Sequence, residues 1–341
     1  MIDYNKRLDN LRQRRFDDEL KKAILSEAFN KSTYGVTRNY VLESMMPIDA
    51  KYTENTYNAS SMLQNQIRLR LKLYGYNIDF AHQGSVPTDT HIKVYSDLDL
   101  LAFDTVSYSL VPPLKPSVPY KGDPIEDLKQ MRNLVFNILK IDFPSCNINN
   151  ENSKALKISG GILQRKIDII YSHWLHDQNY YTYNHEHLKG ICFLDRDNHQ
   201  RIQDYPFLHI KSVNDRDIIV NGNEKRLIRL LKNLKVDSDK KINLSSFDIT
   251  SIVHTMTDVQ LNTPVTRIYV LLTECNNHLE QILNNNSFRD TLYSPNGKEK
   301  LKFDLLEVKK LKDELDETIA DIEREIKPIY ESFQKAEVNY L

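Results

Sequence analysis

The run from Gly84 to Leu101, G-S-V-P-T-D-T-H-I-K-V-Y-S-D-L-D-L-L, constrains this chain more than any other stretch. Asp97 and Asp99 alternate with Leu98, Leu100, Leu101 and Phe103 in a segment of strand character. Side chains two apart on a strand leave from the same face. Two carboxylates that close repel, and a fold tolerates them where a cation lies between. A pair of Mg²⁺ ions about 3.5–4 Å apart is the arrangement that supports in-line displacement at phosphorus. The stretch therefore points to metal-dependent phosphoryl chemistry.

The flanking pattern supplies elements for such a site. Leu63, Ile67, Leu71 and Tyr74 recur at helical spacing, which predicts a helix over 53–74 with Gly75 at its end. It feeds a short strand over 77–82 that stops at Gly84-Ser85. Asp123 and Pro124 open a second helix, with Ile125, Leu128, Met131, Val135 and Leu139 as its buried stripe. Strands over 155–159 and 164–172 follow, joined through Gly160-Gly161. In the second, Lys166, Asp168 and Ile170 face one way, and Ile167, Ile169 and Tyr171 the other. An unpaired carboxylate among isoleucines is costly, so Asp168 is expected to share the cation site of Asp97 and Asp99.

The segment 174–209 is rich in Tyr and His. His173, His176, His185 and His187 match no zinc spacing and are read as surface or polar-core residues. A hairpin is expected over 189–203. From Asn221 the pattern turns helical. Asn223 is placed to cap a helix with Leu227, Leu230, Leu231 and Leu234 on one face and Lys225, Arg229 and Lys232 on the other, either a solvated face or a cationic stripe aimed into a cleft. Leu244-Ser245-Ser246-Phe247-Asp248 opens another helix, where the serines act as caps or hold phosphate oxygens. A tail over 302–341 is helical, with Pro328 kinking or dividing it. Near the N-terminus a helix over 9–29 carries Arg12, Arg14 and Arg15, as a solvated face before a nucleic-acid contact.

Composition narrows the class. With 341 residues, 40% hydrophobic and 27% charged, the chain has room for two domains. It has no apolar run of ~18 residues to span a membrane and no basic-then-apolar leader at Met1. Three separated cysteines, Cys146, Cys192 and Cys275, suggest neither a disulfide framework nor a zinc knuckle, and a reducing cytoplasm is expected. The 46 basic and 47 acidic residues nearly cancel, which argues against nucleic-acid binding through net charge.

Gly84-Ser85, Asp97-x-Asp99 and a later Asp168 resemble the polymerase-β-type nucleotidyltransferase pattern. Residues 226–235 and Leu244-Ser-Ser-Phe247-Asp-Ile-Thr resemble the helical lobe of the cGAS/DncV-like nucleotidyltransferases, relatives of oligoadenylate synthase and cyclic-GAMP synthase. The resemblance covers about 53–283. It implies an α+β, bilobal fold: a mixed-sheet catalytic lobe with the N-terminal helices over 1–205, a C-terminal helical lobe over 206–341, and the active site in the cleft. It further implies that Gly84 and Ser85 grip a triphosphate, that Asp97 and Asp99 hold two Mg²⁺ ions (Mn²⁺ substituting), and that Asp168 holds one of them and helps ionise the attacking hydroxyl. Lys232 and Ser246 would steady the phosphates and Phe247, often Tyr in the family, would stack on the base. The substrates would be NTPs, ATP among them, and the product a cyclic di- or trinucleotide that bacterial members use as an anti-phage signal, under an activating cue the residues do not specify. Template-independent RNA 3′-end extension, and adenylylation of small molecules or proteins, are the alternatives that share the catalytic lobe.

Overall fold

A computed structural model describes residues 2–15, 35–93, 96–163, 165–264 and 267–338. The chain forms two units, one made of Met1–Ile48, Thr90–Val94 and Val213–Leu341 and the other of Asp49–Asp89 and Tyr95–Ser212. This differs from a division at 205/206. The N-terminal helices belong with the C-terminal ones because their apolar stripes, Tyr4, Leu8 and Leu11 with Tyr40 and Val41, share one core with Leu227, Leu231, Leu272 and Leu311.

The second unit is built on a mixed sheet. Its strands are β1 (Ile78–Gln83), β2 (Leu98–Leu110), β3 (Asn147–Asn149), β4 (Leu156–Ser159), β5 (Lys166–His176), β6 (Gly190–Asp195) and β7 (Gln200–Asp204). The order is β1-β2-β5-β4-β3, with β6 and β7 continuing from the far half of β5. Only β2 and β5 run parallel among these pairs.

Alternation on β2 and β5 assigns the faces. Leu98, Leu100 and Ala102, with Ile167, Ile169 and Tyr171, pack under two helices, Ala50–Lys72 through Leu63, Ile67 and Leu71, and Pro124–Asp142 through Leu128, Met131, Val135 and Leu139. Leu101 and Phe103 face the other side with Ile191, Ile170 and Trp174. Both helices begin on an aspartate whose side chain accepts from the first turn, Asp49 from Lys51 N and Asp123 from Ile125 N. The three-residue strand β3 lacks the periodicity that would announce it.

The first unit is helical. Tyr4–Arg15 and Val36–Met45 pack with Asn223–Asp237, Ser246–His254, Ile268–Asn284 and Leu305–Val338. The expected helix over 9–29 begins at Tyr4, and its part beyond residue 15 lies outside the described residues. Its arginines are not a freely solvated face: Arg12 pairs with Glu43 at 2.7 Å, Arg14 with Asp237 at 2.6 Å, and Arg15 donates to the carbonyls of Glu43, Met46 and Pro47. Pro328 lies inside the last helix, which continues past it. Among the described residues no helix is long and apolar enough to cross a membrane.

Candidate active site

Register brings two of the three acids together. Asp99 stands opposite Asp168 across the parallel β2–β5 pair, and Gln83 stands opposite Asp99 on the other side. Lys157 of β4 faces Asp168, and Asn149 of β3 faces Lys157. Cross-strand partners project from the same face. Gln83, Asp99, Asp168, Lys157 and Asn149 thus form one polar row across five strands. Asp97 sits one residue ahead of β2 rather than inside it, and is exposed.

Charge accumulates here. Burial, then the neighbouring carboxylates of Asp168 and Asp97, push the Asp99 carboxyl up to about 7, with Lys157 and Lys166 opposing the shift. Lys166 Nζ lies 2.6 Å from Asp97 Oδ2, a hydrogen bond that raises its own pKa. Lys157 Nζ lies 2.7 Å from Asp168 Oδ2. On either side of Asp99, Asp168 Oδ1 and Gln83 Oε1 are buried and have no hydrogen-bond partner among the described residues. Buried oxygens without donors are costly, and a cation would satisfy both.

The turn after β1 completes the arrangement. Gly84 has φ +83°, and a side chain added there would run into Asp99 Oδ2. Glycine is needed both for the left-handed backbone and for the close approach of the carboxylate. Ser85 is half-buried in the turn that follows, where Thr88 Oγ1 donates to the carbonyls of Gly84 and Ser85 at 3.3 Å and Val86 anchors into the core.

These residues suit divalent cations through hard carboxylate oxygens, one unpartnered amide oxygen and a glycine that leaves room. As the side chains stand, no group of three His, Cys, Asp or Glu among the described residues is in position to hold a metal. Two lysines occupy oxygens of two of the three acids. The same observation covers the histidine-rich segment: His173 is buried and lowered to about 4 by burial, and the rings of His185 and His187 stack on each other.

Lys232, Ser246 and Phe247 lie in the helical unit. Lys232 and Arg229 are buried rather than on a solvated face. Arg229 Nε donates to Met45 O at 2.8 Å, and Lys232 Nζ donates to Thr90 O at 3.0 Å and to Thr90 Oγ1 at 3.2 Å. Burial, with Arg229 and Lys235 nearby, pulls the Lys232 ammonium down to about 7. Their helix is capped by Gly222, not by Asn223, whose amide donates to Leu261 O and Thr263 O. Ser245 is the cap of the next helix, in a reciprocal box with Asp248. Ser246 is thereby the first helical residue and exposed, as is Phe247 beside it.

Sequence reasoning missed Lys157 and did not pair Lys166 with an acid. Alternation already put Lys166 on the face of Asp168; the antiparallel pairing of 155–159 onto β5 was the further step that would have put Lys157 there.

No family model matches the chain. Curated relatives do. A cyclic dinucleotide synthase CdnE of Yersinia aleksiciae is 32% identical over 342 residues, covering 93% of this chain and 87% of that one. A c-di-GMP synthase of Lachnospiraceae bacterium (strain RUG226) is 30% identical, covering 75% of this chain and 80% of that one. The solved structure of a STING-associated CdnE c-di-GMP synthase from Flavobacteriaceae sp. superposes with a TM-score of 0.78 at 26% identity, over 94% of this chain and 99% of that one. With relatedness running over nearly the whole chain and the sheet carrying the acids in this register, the chain belongs to the cGAS/DncV-like nucleotidyltransferase family, enzymes that synthesise cyclic oligonucleotides.

Proposed function

We propose that this enzyme joins two nucleoside triphosphates into a cyclic dinucleotide, with GTP as a substrate and ATP as the alternative partner nucleotide. The observation that carries the reading is the Asp99–Asp168 pair across β2 and β5 beside Gly84. The product names of the relatives support guanine as the base.

In this reading Asp97 and Asp99 hold two Mg²⁺ ions, which Mn²⁺ can replace, and Asp168 holds one of them. When bound, such ions neutralise charge developing on the phosphoryl oxygens and favour ionisation of a hydroxyl. The backbone N–H groups about Gly84 and Ser85 grip the triphosphate. Asp168 receives the proton of the attacking sugar hydroxyl, whose oxygen bonds to the α-phosphorus while pyrophosphate departs from the opposite side. Repetition with the roles exchanged closes the ring. Lys232 and Ser246 steady phosphate oxygens and Phe247 stacks on a base. An ammonium has three donors; Thr90 takes two from Lys232, and the third is the one offered to phosphate. The enzyme works in the cytoplasm, where NTPs are found, and its product serves as an anti-phage signal.

Pyrophosphate release from GTP and ATP tests the site. The Asp97→Ala/Asp99→Ala variant is expected to lose about a thousandfold or more of the rate with an unchanged circular dichroism spectrum. Release at the wild-type rate would contradict the assignment.

A further inference from the structure

A polar cavity of about 350 Å³ opens beside the third carboxylate, within the size range of small-molecule sites. Asn147, Asn149, Asn152 and Ser159 line it together with Lys157, Lys166 and one carboxylate, that of Glu151, which accepts from the Asn149 amide at 3.0 Å. Pairing explains why they converge. Asn147 faces Ser159 and Ser159 faces Lys166, while Asn149 faces Lys157 and Lys157 faces Asp168. The cavity therefore lies on the side of Asp168 remote from Asp99 and the Gly84 turn in strand order.

Its rim is fixed in advance. Fully buried Arg132 donates to Asn150 Oδ1 and to the carbonyls of Asn150, Asn152, Ser153 and Ala155. Arg196 donates to the carbonyls of Asn150 and Glu151. Two guanidiniums thus hold the loop between β3 and β4, and a supported wall is what a binding site requires.

Lys157 belongs to both places. Its ammonium holds Asp168 Oδ2 at 2.7 Å while the residue lines the cavity, and its side chain is one-third exposed. A divalent ion at Asp168 Oδ1 and the ammonium on Oδ2 of the same carboxylate repel each other, which weakens the hold of Asp168 on the lysine and favours its release. The lysine has a flexible four-carbon stem and amide and hydroxyl neighbours within the cavity. Once turned there, it adds a second ammonium to that of Lys166 against the single carboxylate of Glu151, which makes the lining net cationic with additional donors, the chemistry that takes phosphate.

We propose that Lys157 is an exchangeable counter-ion, holding Asp168 until a divalent ion takes that carboxylate and then serving the adjoining cavity as a phosphate-binding group for the second nucleotide. The proposal rests on the metal-dependent reading above and makes Lys157 a positioning residue. By linkage, metal tightens phosphate binding in the cavity and phosphate tightens metal binding by the same factor.

The test is calorimetric titration of the full chain with Mn²⁺ alone, and with GMP in the presence and absence of Mn²⁺, in the wild type, Lys157→Met and Lys157→Arg. Lys157→Met is expected to bind Mn²⁺ about tenfold more tightly than the wild type, and to lose the Mn²⁺-dependent gain in GMP affinity, itself about tenfold in the wild type. Lys157→Arg is expected to keep the wild-type Mn²⁺ affinity to within about threefold. Equal Mn²⁺ affinity in the wild type and Lys157→Met, or a gain in GMP affinity that survives in Lys157→Met, would overturn the proposal. Asp168→Asn separates it from the reading beneath: undiminished Mn²⁺ binding there would overturn the carboxylate site itself.

Discussion

Two side chains whose ordinary values lie on opposite sides of neutrality are both brought to about 7, which makes stability depend on pH there. Asp99 has its carboxyl raised from an ordinary 3.8 to about 7. The native state therefore holds a proton that the unfolded state has lost between those values, and stability contributed by this group falls as pH rises from about 4 to about 7. Lys232 is lowered from 10.5 to about 7. Its contribution is present above 10.5 and is lost as pH falls towards 7. In EDTA the melting temperature should dip near neutrality relative to variants lacking these groups. Asp99→Asn should flatten the acid side of that dip and Lys232→Met the alkaline side, read as Tm against pH. Mg²⁺ should raise the wild-type Tm most above pH 7, where Asp99 is ionised. The placing of Asp99 and Asp168 on one face beside Gly84 was legible in the sequence because alternation and a glycine turn are local, whereas Asp97, expected within the strand, lies one residue ahead of it. The burial of Arg229 and Lys232 was not: a charged residue on the polar side of an amphipathic helix gives no sign that Met45 O and Thr90 O will meet it.

Local signals wrote most of the elements. Asp49 and Asp123 as helix caps, Leu63, Ile67 and Leu71 as a stripe, and the alternation through Ile167, Ile169 and Tyr171 each need only neighbouring residues. Strand β3 was not legible, because three residues carry no period and it exists only by pairing with β4. The loop from β3 to β4 depends just as much on distant residues. Arg132, on the helix Pro124–Asp142, donates to carbonyls of that loop, and its desolvation lowers the guanidinium to about 10. Replacing it takes the donor from the Asn152 carbonyl and the buried Ala155 carbonyl, while Arg196 still donates to those of Asn150 and Ser153. Arg132→Met is expected to cost about 2–4 kcal/mol, measured by urea denaturation, and to raise amide hydrogen exchange over residues 150–155 before the rest of the sheet. Denaturation unchanged from the wild type would show that the loop is held by other means.

At the scale of the molecule, the order of sequence and the order of packing diverge. The helices Tyr4–Arg15 and Val36–Met45 close the core of the helical unit, most of which is built from 213 onward, because their apolar stripes find Leu227, Leu231 and Leu311 rather than the sheet. No pattern within those residues names that partner. The sheet unit, by contrast, carries the acids, the glycine turn and the lysine pair within Asp49–Asp89 and Tyr95–Ser212. That concentration, with relatives matched over most of the chain, ties the molecule to cyclic nucleotide synthesis. The most direct measurement is incubation of the protein with α-³²P-labelled GTP and ATP and Mg²⁺ or Mn²⁺, followed by phosphatase and chromatography. The account predicts a small phosphatase-resistant product that a phosphodiesterase opens, formed from GTP and absent with Asp97→Ala/Asp99→Ala. Products wholly degraded by phosphatase to nucleosides and inorganic phosphate, or label transferred to the 3′ end of added RNA, would contradict it.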